Sequence, residues 1–184
     1  MQEVMWHGLG GQGVVVASSV LGTAIGVYEG KYVMSIPSFG AQRRGAPVTA
    51  LTRISESPIR RRSKEGDPDY IVVIDDSLVL TAITGCGHEK PRKIIVNSKK
   101  SLAELGLTEW PDSTIVDAET IALEAIGRPV VNCVMVGVLA AATHLVKLSS
   151  VEKAIADVLD PRISQRNAAG AKGGYNAVDR RTSN

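Results

Sequence analysis

Glu3-Val4-Met5-Trp6-His7-Gly8-Leu9-Gly10-Gly11-Gln12-Gly13-Val14-Val15-Val16-Ala17 decides how the rest of the chain is read. Residues 3–7 have the composition of a short strand, and the glycines Gly8, Gly10, Gly11 and Gly13 follow at once. From Val14 to Tyr28 the chain is rich in small and β-branched residues without a turn signal, a length that makes a buried helix rather than a strand. Strand, glycine turn and helix in succession leave backbone N–H groups unpaired at a helix N-terminus, where the helix dipole adds to the attraction for an anion. Glycine is required where the chain turns with unusual dihedrals and admits a phosphate closely.

Working outward, residues 31–36 read as a second strand ended by Pro37, and 38–47 as a polar loop rich in glycine and arginine. Residues 48–54 form a third strand, in which Val48, Ala50 and Thr52 alternate with Thr49, Leu51 and Arg53; the basic stretch 59–64 is its candidate antiparallel return. Asp69-Tyr70-Ile71-Val72-Val73-Ile74-Asp75 is an unbroken apolar run between carboxylates, the pattern of a central parallel strand buried on both faces. Strands at 93–97 and 114–117 follow, then helices at 118–126, 132–146, 151–159 and around 164–181. The alternation predicts an α/β fold: a three-layer α/β/α sandwich, Rossmann-like, with a mostly parallel sheet and an antiparallel hairpin. Residues 1–184 read as a single domain, large enough to bury a core without disulfide or metal staples.

Composition narrows the function classes. With 44% apolar and 22% charged residues the chain is an ordinary globular sequence. The first residues, acidic at Glu3 and glycine-rich where a signal peptide needs an apolar block, predict no targeting segment. The apolar run 134–142 is about half the ~20 residues that cross a bilayer, so no membrane span is expected. Cys86 and Cys133 lie too far apart for the CxxC pairing of zinc sites and iron–sulfur clusters, and two cysteines make no disulfide framework. A reducing, cytoplasmic location is the expectation, with no metal site. The net charge is only +2, yet Arg43, Arg44, Arg53, Arg60, Arg61, Arg62 and Lys64 are a third of the 21 basic residues. Such clustering points to a local anion or acidic partner, or to a solvated basic hairpin, rather than to nucleic acid.

The glycine turn fits GxGxxG, but a dinucleotide site also needs an acid at the end of the second strand to hold a ribose. Ser35, Ile36 and Pro37 stand there instead, and Glu29 falls before the strand. Val14 and Val15 occupy the positions where a P-loop carries Lys and Ser/Thr, which excludes ATP hydrolysis of that type. An anion site and a tight turn with no ligand both remain open. A second constellation, Pro37-Ser38-Phe39-Gly40-Ala41-Gln42-Arg43-Arg44-Gly45-Ala46-Pro47, sets two forked guanidinium groups between glycines, suited to phosphate or carboxylate. Phe39, the only phenylalanine, is placed to dock against a base, a cofactor or another subunit, or to pack beneath the loop.

Together these motifs resemble the gamma subunit, or gamma domain, of the 2-oxoacid:ferredoxin (acceptor) oxidoreductases, the pyruvate synthase-like family. The resemblance lies in His7-Gly8-x-Gly10-Gly11-Gln12-Gly13 and Pro37-Ser38-Phe39-Gly40-x-x-Arg43-Arg44-Gly45-Ala46-Pro47. It continues through Thr52-Arg53-Ile54-Ser55, Pro58-Ile59-Arg60, the strand ending at Asp75, Asn132 at a helix start, Asn167 and Gly174-Tyr175. It implies a complex that decarboxylates a 2-oxoacid on thiamine diphosphate, passes electrons through [4Fe-4S] clusters to ferredoxin or another acceptor, and transfers the acyl group to coenzyme A. This chain has no Gly-Asp-Gly motif followed by Asn, and only two cysteines. Thiamine diphosphate and the clusters are therefore expected on alpha, beta and delta-type partner subunits, leaving this chain inactive alone, without catalytic residues of its own.

Its implied share is assembly and anion recognition on the coenzyme A side. Gly8, Gly10, Gly11, Gln12 and Gly13, with Ser38, Phe39, Gly40 and Asn132, are the candidate cofactor-binding residues, and Arg43 and Arg44 the charged contacts to coenzyme A or a neighbouring subunit. The alternative is a stand-alone nucleotide- or dinucleotide-binding module of Rossmann-like type. His7 reads as a residue that orients the glycine turn, His88 as a surface residue, His144 as a satisfied helix residue and Cys133 as a core thiol.

Overall fold

The computed structural model describes residues 1–39, 45–60, 67–85, 90–110 and 112–182. Gly40, Arg43, Arg44, Cys86 and His88 lie outside them, as does most of the basic stretch 59–64; its described residues Ile59 and Arg60 belong to no strand. Six strands form one mixed sheet: β1 (Gln2–Leu9), β2 (Tyr32–Phe39), β3 (Pro47–Ser55), β4 (Tyr70–Val73), β5 (Lys93–Asn97) and β6 (Thr114–Val116), in the order β2-β3-β1-β4-β5-β6. β1, β4, β5 and β6 run parallel, while β3 is antiparallel to both its neighbours. The predicted α/β fold is the one observed, but the antiparallel hairpin is β2–β3. With β1 on one side of β3 and β2 on the other, the third strand has no edge left to pair with the basic stretch.

The second strand does not end at Pro37. It continues to Phe39, with Pro37 opposite Ala50. β2 is an edge strand, where the ladder tolerates a residue without an N–H.

The apolar alternation explains the layers. Val4, Trp6, Ala50, Ile54, Val72, Ile74, Ile95 and Val116 face a large core shared with α1 (Val14–Tyr28), α3 (Ala118–Ile126), α4 (Asn132–Thr143), α5 (Leu148–Val158) and α6 (Pro161–Thr182). Ile71, Val73, Ile94 and Val96 face the other way, onto Leu78, Val79, Ala82, Leu105 and Leu107 of a 3-10 turn (Asp76–Leu78), α2 (Val79–Thr84) and the segment that follows β5. β4 and β5 are thus buried on both faces, as their unbroken apolar runs require. The predicted helix 132–146 stops at Thr143 because His144 turns into the left-handed region at φ 54°, its N–H closing on Ala140. α6 begins earlier than the small-residue run suggests: Pro161 opens it and Asp160 accepts the backbone N–H of Arg162 at 2.9 Å.

Two buried polar clusters tie the antiparallel half together. Trp6 donates its indole N–H to Thr52 Oγ1 at 3.2 Å, and Thr52 shares a hydrogen bond with Ser18 of α1 at 2.9 Å. On the opposite face Arg53, fully buried, pairs with Glu3 at 2.7 Å, so one of the seven clustered basic residues is a core ion pair and no part of a surface patch.

Candidate functional site

The glycine turn is shorter than its motif. Gly8 lies inside β1, opposite Val48, and a Cβ there would press on Val14, Gln12 and Ile74, so this glycine serves the packing of strand against helix. Gly10 donates to Ala46 O at 2.8 Å and Gln12 to Leu9 O at 3.0 Å. Gly11 and Gly13 take positive φ, 97° and 79°, the conformations that demand glycine at both. Their N–H groups make no backbone hydrogen bond among the described residues, and the first-turn N–H groups of α1 have no partner within the helix.

Gln12 braces the turn from within. Its Oε1 accepts the Leu9 N–H at 2.7 Å and its Nε2 donates to Asp75 Oδ2 at 2.7 Å, joining β1 to the end of β4. Asn132, at the start of α4, lies against Gly13 where a Cβ would otherwise stand. The turn, Asn132 and the ends of β4, β5 and β6 enclose a crevice of about 420 Å³. It opens at the carboxyl ends of the parallel strands, beside β1. There the connections part, α1 passing to one face of the sheet and α2 to the other, which is where open α/β sheets form ligand crevices.

Polar residues that follow the apolar strand runs furnish the walls: Asp75 and Asp76 after β4, Ser98, Lys99 and Lys100 after β5, Asp117 and Glu119 after β6. Of these only Asp75 was named from sequence, as the end of the apolar strand run; for the others, position just past each parallel strand is the signal that marks them. Asp76 accepts from Ser98 at 2.6 Å and pairs with Lys100 at 3.1 Å; Asp117 caps α3 and pairs with Lys99 at 3.7 Å. Burial opposes ionisation of Asp75, but hydrogen bonds from Ser77 and Gln12, with Lys100 nearby, hold its carboxyl below the usual range. Asp117 is held low in the same way, burial being outweighed by Thr120 and Lys99. Asn97 clips the strands behind the crevice, donating to Ile74 O at 2.9 Å and accepting the Ala118 N–H at 3.0 Å.

The structure brings Gly11, Gln12, Gly13 and Asn132 together on this crevice. Ser38 lies on β2 opposite Thr49, and is not among the residues that line it. His7 is not among them either, and burial lowers its pKa to about 4, which keeps the ring neutral. Burial pushes the Cys133 thiol up to about 12, so it is an inert core thiol. Among the described residues no three His, Cys, Asp or Glu side chains are grouped to hold a metal, and no helix is long and apolar enough to cross a membrane.

Sheet order, glycine turn and crevice define a wound α/β protein whose binding face lies at the carboxyl ends of its parallel strands. Residues 3–177 match the family model described as pyruvate ferredoxin/flavodoxin oxidoreductase. The chain belongs to that family, as a gamma subunit. It is 45% identical over 175 residues to the common gamma subunit of the pyruvate/ketoisovalerate oxidoreductases of Pyrococcus abyssi, covering 94% of each chain. The crystal structure of the pyruvate oxidoreductase subunit PORC of Thermotoga maritima superposes with a TM-score of 0.80 at 33% identity over 95% of each chain. A 2-oxoglutarate:ferredoxin oxidoreductase of Magnetococcus marinus, solved with 2-oxoglutarate, coenzyme A and succinyl-CoA bound, shares the fold, with a TM-score of 0.78 at 12% identity. This chain covers 31% of that one, and 97% of its own length is matched.

Proposed function

We propose that this chain works in a cytoplasmic complex that oxidatively decarboxylates a 2-oxoacid to its acyl-CoA, with ferredoxin or another acceptor taking the electrons. Residues 1–184 act there as one gamma-type domain beside alpha, beta and delta-type subunits. Thiamine diphosphate, which stabilises the carbanion left by decarboxylation, and the [4Fe-4S] clusters belong to those partners. The sequence supports this division: it has neither a thiamine motif nor four cysteines for a cluster.

The chain's own contribution is assembly and recognition of coenzyme A's anionic end. The carrying observation is the turn at Gly11 and Gly13, which lines the crevice at the N-terminus of a fifteen-residue helix and whose N–H groups make no backbone hydrogen bond among the described residues. Gln12 holds that turn rigid against β4, so its donors need no reorganisation when an anion arrives. Arg43 and Arg44 add charged donors to the same ligand, enclosed by a neighbouring subunit that limits solvent screening. The test is the double substitution Arg43→Ala, Arg44→Ala in the purified complex. An approximately tenfold rise in KM for coenzyme A, with subunit content and kcat retained, is expected, corresponding to about 1.4 kcal/mol. Loss of subunits from the complex, or an unchanged KM for coenzyme A, would overturn the coenzyme A-side role.

A further inference from the structure

The two edges of the sheet are built differently. β6 closes one side with three residues and runs straight into Asp117, which caps α3. β2 closes the other with eight, Tyr32-Val33-Met34-Ser35-Ile36-Pro37-Ser38-Phe39, and none of them is charged. An edge strand carries a row of main-chain donors and acceptors on its outer side, and soluble proteins guard that row with short strands, charges, proline or a covering element. Guards are few at β2. Pro37 interrupts the row near its carboxyl end and leaves residues 32–36 without a break. Lys31, just before the strand, is held by Glu56 at 2.9 Å. Among the described residues β2 packs against β3 on its inner side and against α1 on one face. None of residues 32–38 is buried, and Tyr32 is 48% exposed.

Side chains along the strand define what the edge can take. Val33 and Ser35 lie over Gly22 and Gly26 of α1, so Tyr32, Met34 and Ile36 stand on the opposite face of the sheet. A strand laid along the edge would gain main-chain hydrogen bonds, and its side chains would fall beside that row, where a charge would lose its hydration. The fitting partner is therefore extended and uncharged. Size decides whose strand it is. Eight residues span about 27 Å at ~3.4 Å each, and a sheet edge about 10 Å thick then buries roughly 270 Å² on each partner. The total, about 540 Å², falls well short of the ~1,200 Å² at which a specific interface holds by itself. Edge pairing alone does not keep two copies of this chain together. It suits a chain that is already bound to this one elsewhere.

We propose that β2 accepts an extended, uncharged strand from another subunit of the oxidoreductase, which continues the sheet past its edge. This deepens the assembly role given above and rests on it, while it is independent of coenzyme A.

Hydrogen exchange of the main-chain amides, measured on the full chain alone and in its complex, tests the pairing. Alternate amides of an edge strand already donate to the neighbour within the sheet, and the others face outward. On assembly the outward set in residues 32–39 should slow about tenfold or more, with the alternation preserved. Ser35→Lys places a charge in the middle of the row and should weaken binding to the other subunits about tenfold. Leu80→Lys, at a 62% exposed residue of α2, should leave that binding unchanged. If the Ser35 variant does not fold, the exchange of the unaltered chain decides. Outward amides that exchange equally fast in the complex overturn the edge as a docking strand and leave the assembly role standing. Full retention of Ser35→Lys in the complex with β2 still protected overturns it as well. A free chain that dimerises, and loses the dimer in Ser35→Lys, makes a second copy the occupant and rejects the partner strand. A chain that fails to associate with the other subunits at all sinks the assembly role itself.

Discussion

His7 shows how a single partly buried side chain makes the fold sensitive to acid. Burial lowers its pKa from 6.5 to about 4. Between those values the unfolded chain holds a proton that the folded chain refuses, so stability rises with pH across that window. The neutral-ring contribution is complete above pH 6.5 and is lost as the pH falls towards 4. Urea titrations at pH 7 and pH 4.5 should show a loss on the order of 2 kcal/mol from this residue. His7→Gln should flatten that part of the profile; an unchanged slope would reject burial of His7 as its source. The motif identified His7 as a residue beside the glycines, but strand alternation alone does not tell how much protein covers it. Arg53 makes the same point in reverse. It reads as a member of a basic cluster, and only the register that sets it opposite Glu3 turns it into a buried ion pair.

At the scale of elements, α4 is held by the closeness of its neighbour. Residues 132–141 are all buried, and Gly137 faces the backbone of Ala171 on α6 with no room for a methyl group. Gly174 meets the backbone of Val134 in the same way. Backbone cannot move aside as a side-chain tip can, so Gly137→Ala should cost about 1–3 kcal/mol in chemical denaturation. Gly26→Ala on α1 is the control. Its Cβ would meet Val33 and Lys31 at 3.7 Å or more, and it should be neutral or stabilise by up to about 1 kcal/mol. Equal effects of the two substitutions would contradict the proximity of α4 and α6. The sequence carried the small residues of both helices, and hence the possibility of close packing, while the choice of partner needed the tertiary arrangement.

For the whole molecule, the expectation concerns what the chain does without partners. Purified alone it should be folded, colourless above 350 nm on the order of an ordinary protein without chromophore, and unable to reduce an acceptor with a 2-oxoacid. On the proposed function, mixing it with the partner subunits of its complex should restore coenzyme A-dependent activity. Native mass spectrometry reads the subunits retained, and a lone chain with activity would reject the division of labour. The crevice suits this role because it lies at one end of the sheet, open at the carboxyl ends of the parallel strands, while the large core lies on the flank covered by α1 and α3–α6.

The sequence by itself determined the α/β class, the glycine turn at the head of α1 and the doubly buried β4, because periodicity and glycine dihedrals are local properties of the chain. It also carried the family, through motifs spread over most of its length. Tertiary structure decided the strand order, with β3 inserted between β1 and β2, since register and neighbours depend on which faces are buried together. It decided as well that Gly8 belongs to a strand, that Gln12 is a brace, and that Asn132 meets Gly13 across 119 residues (132 − 13) of chain. A crevice is made by residues distant in sequence that arrive at the ends of neighbouring strands, and only the folded sheet sets them side by side.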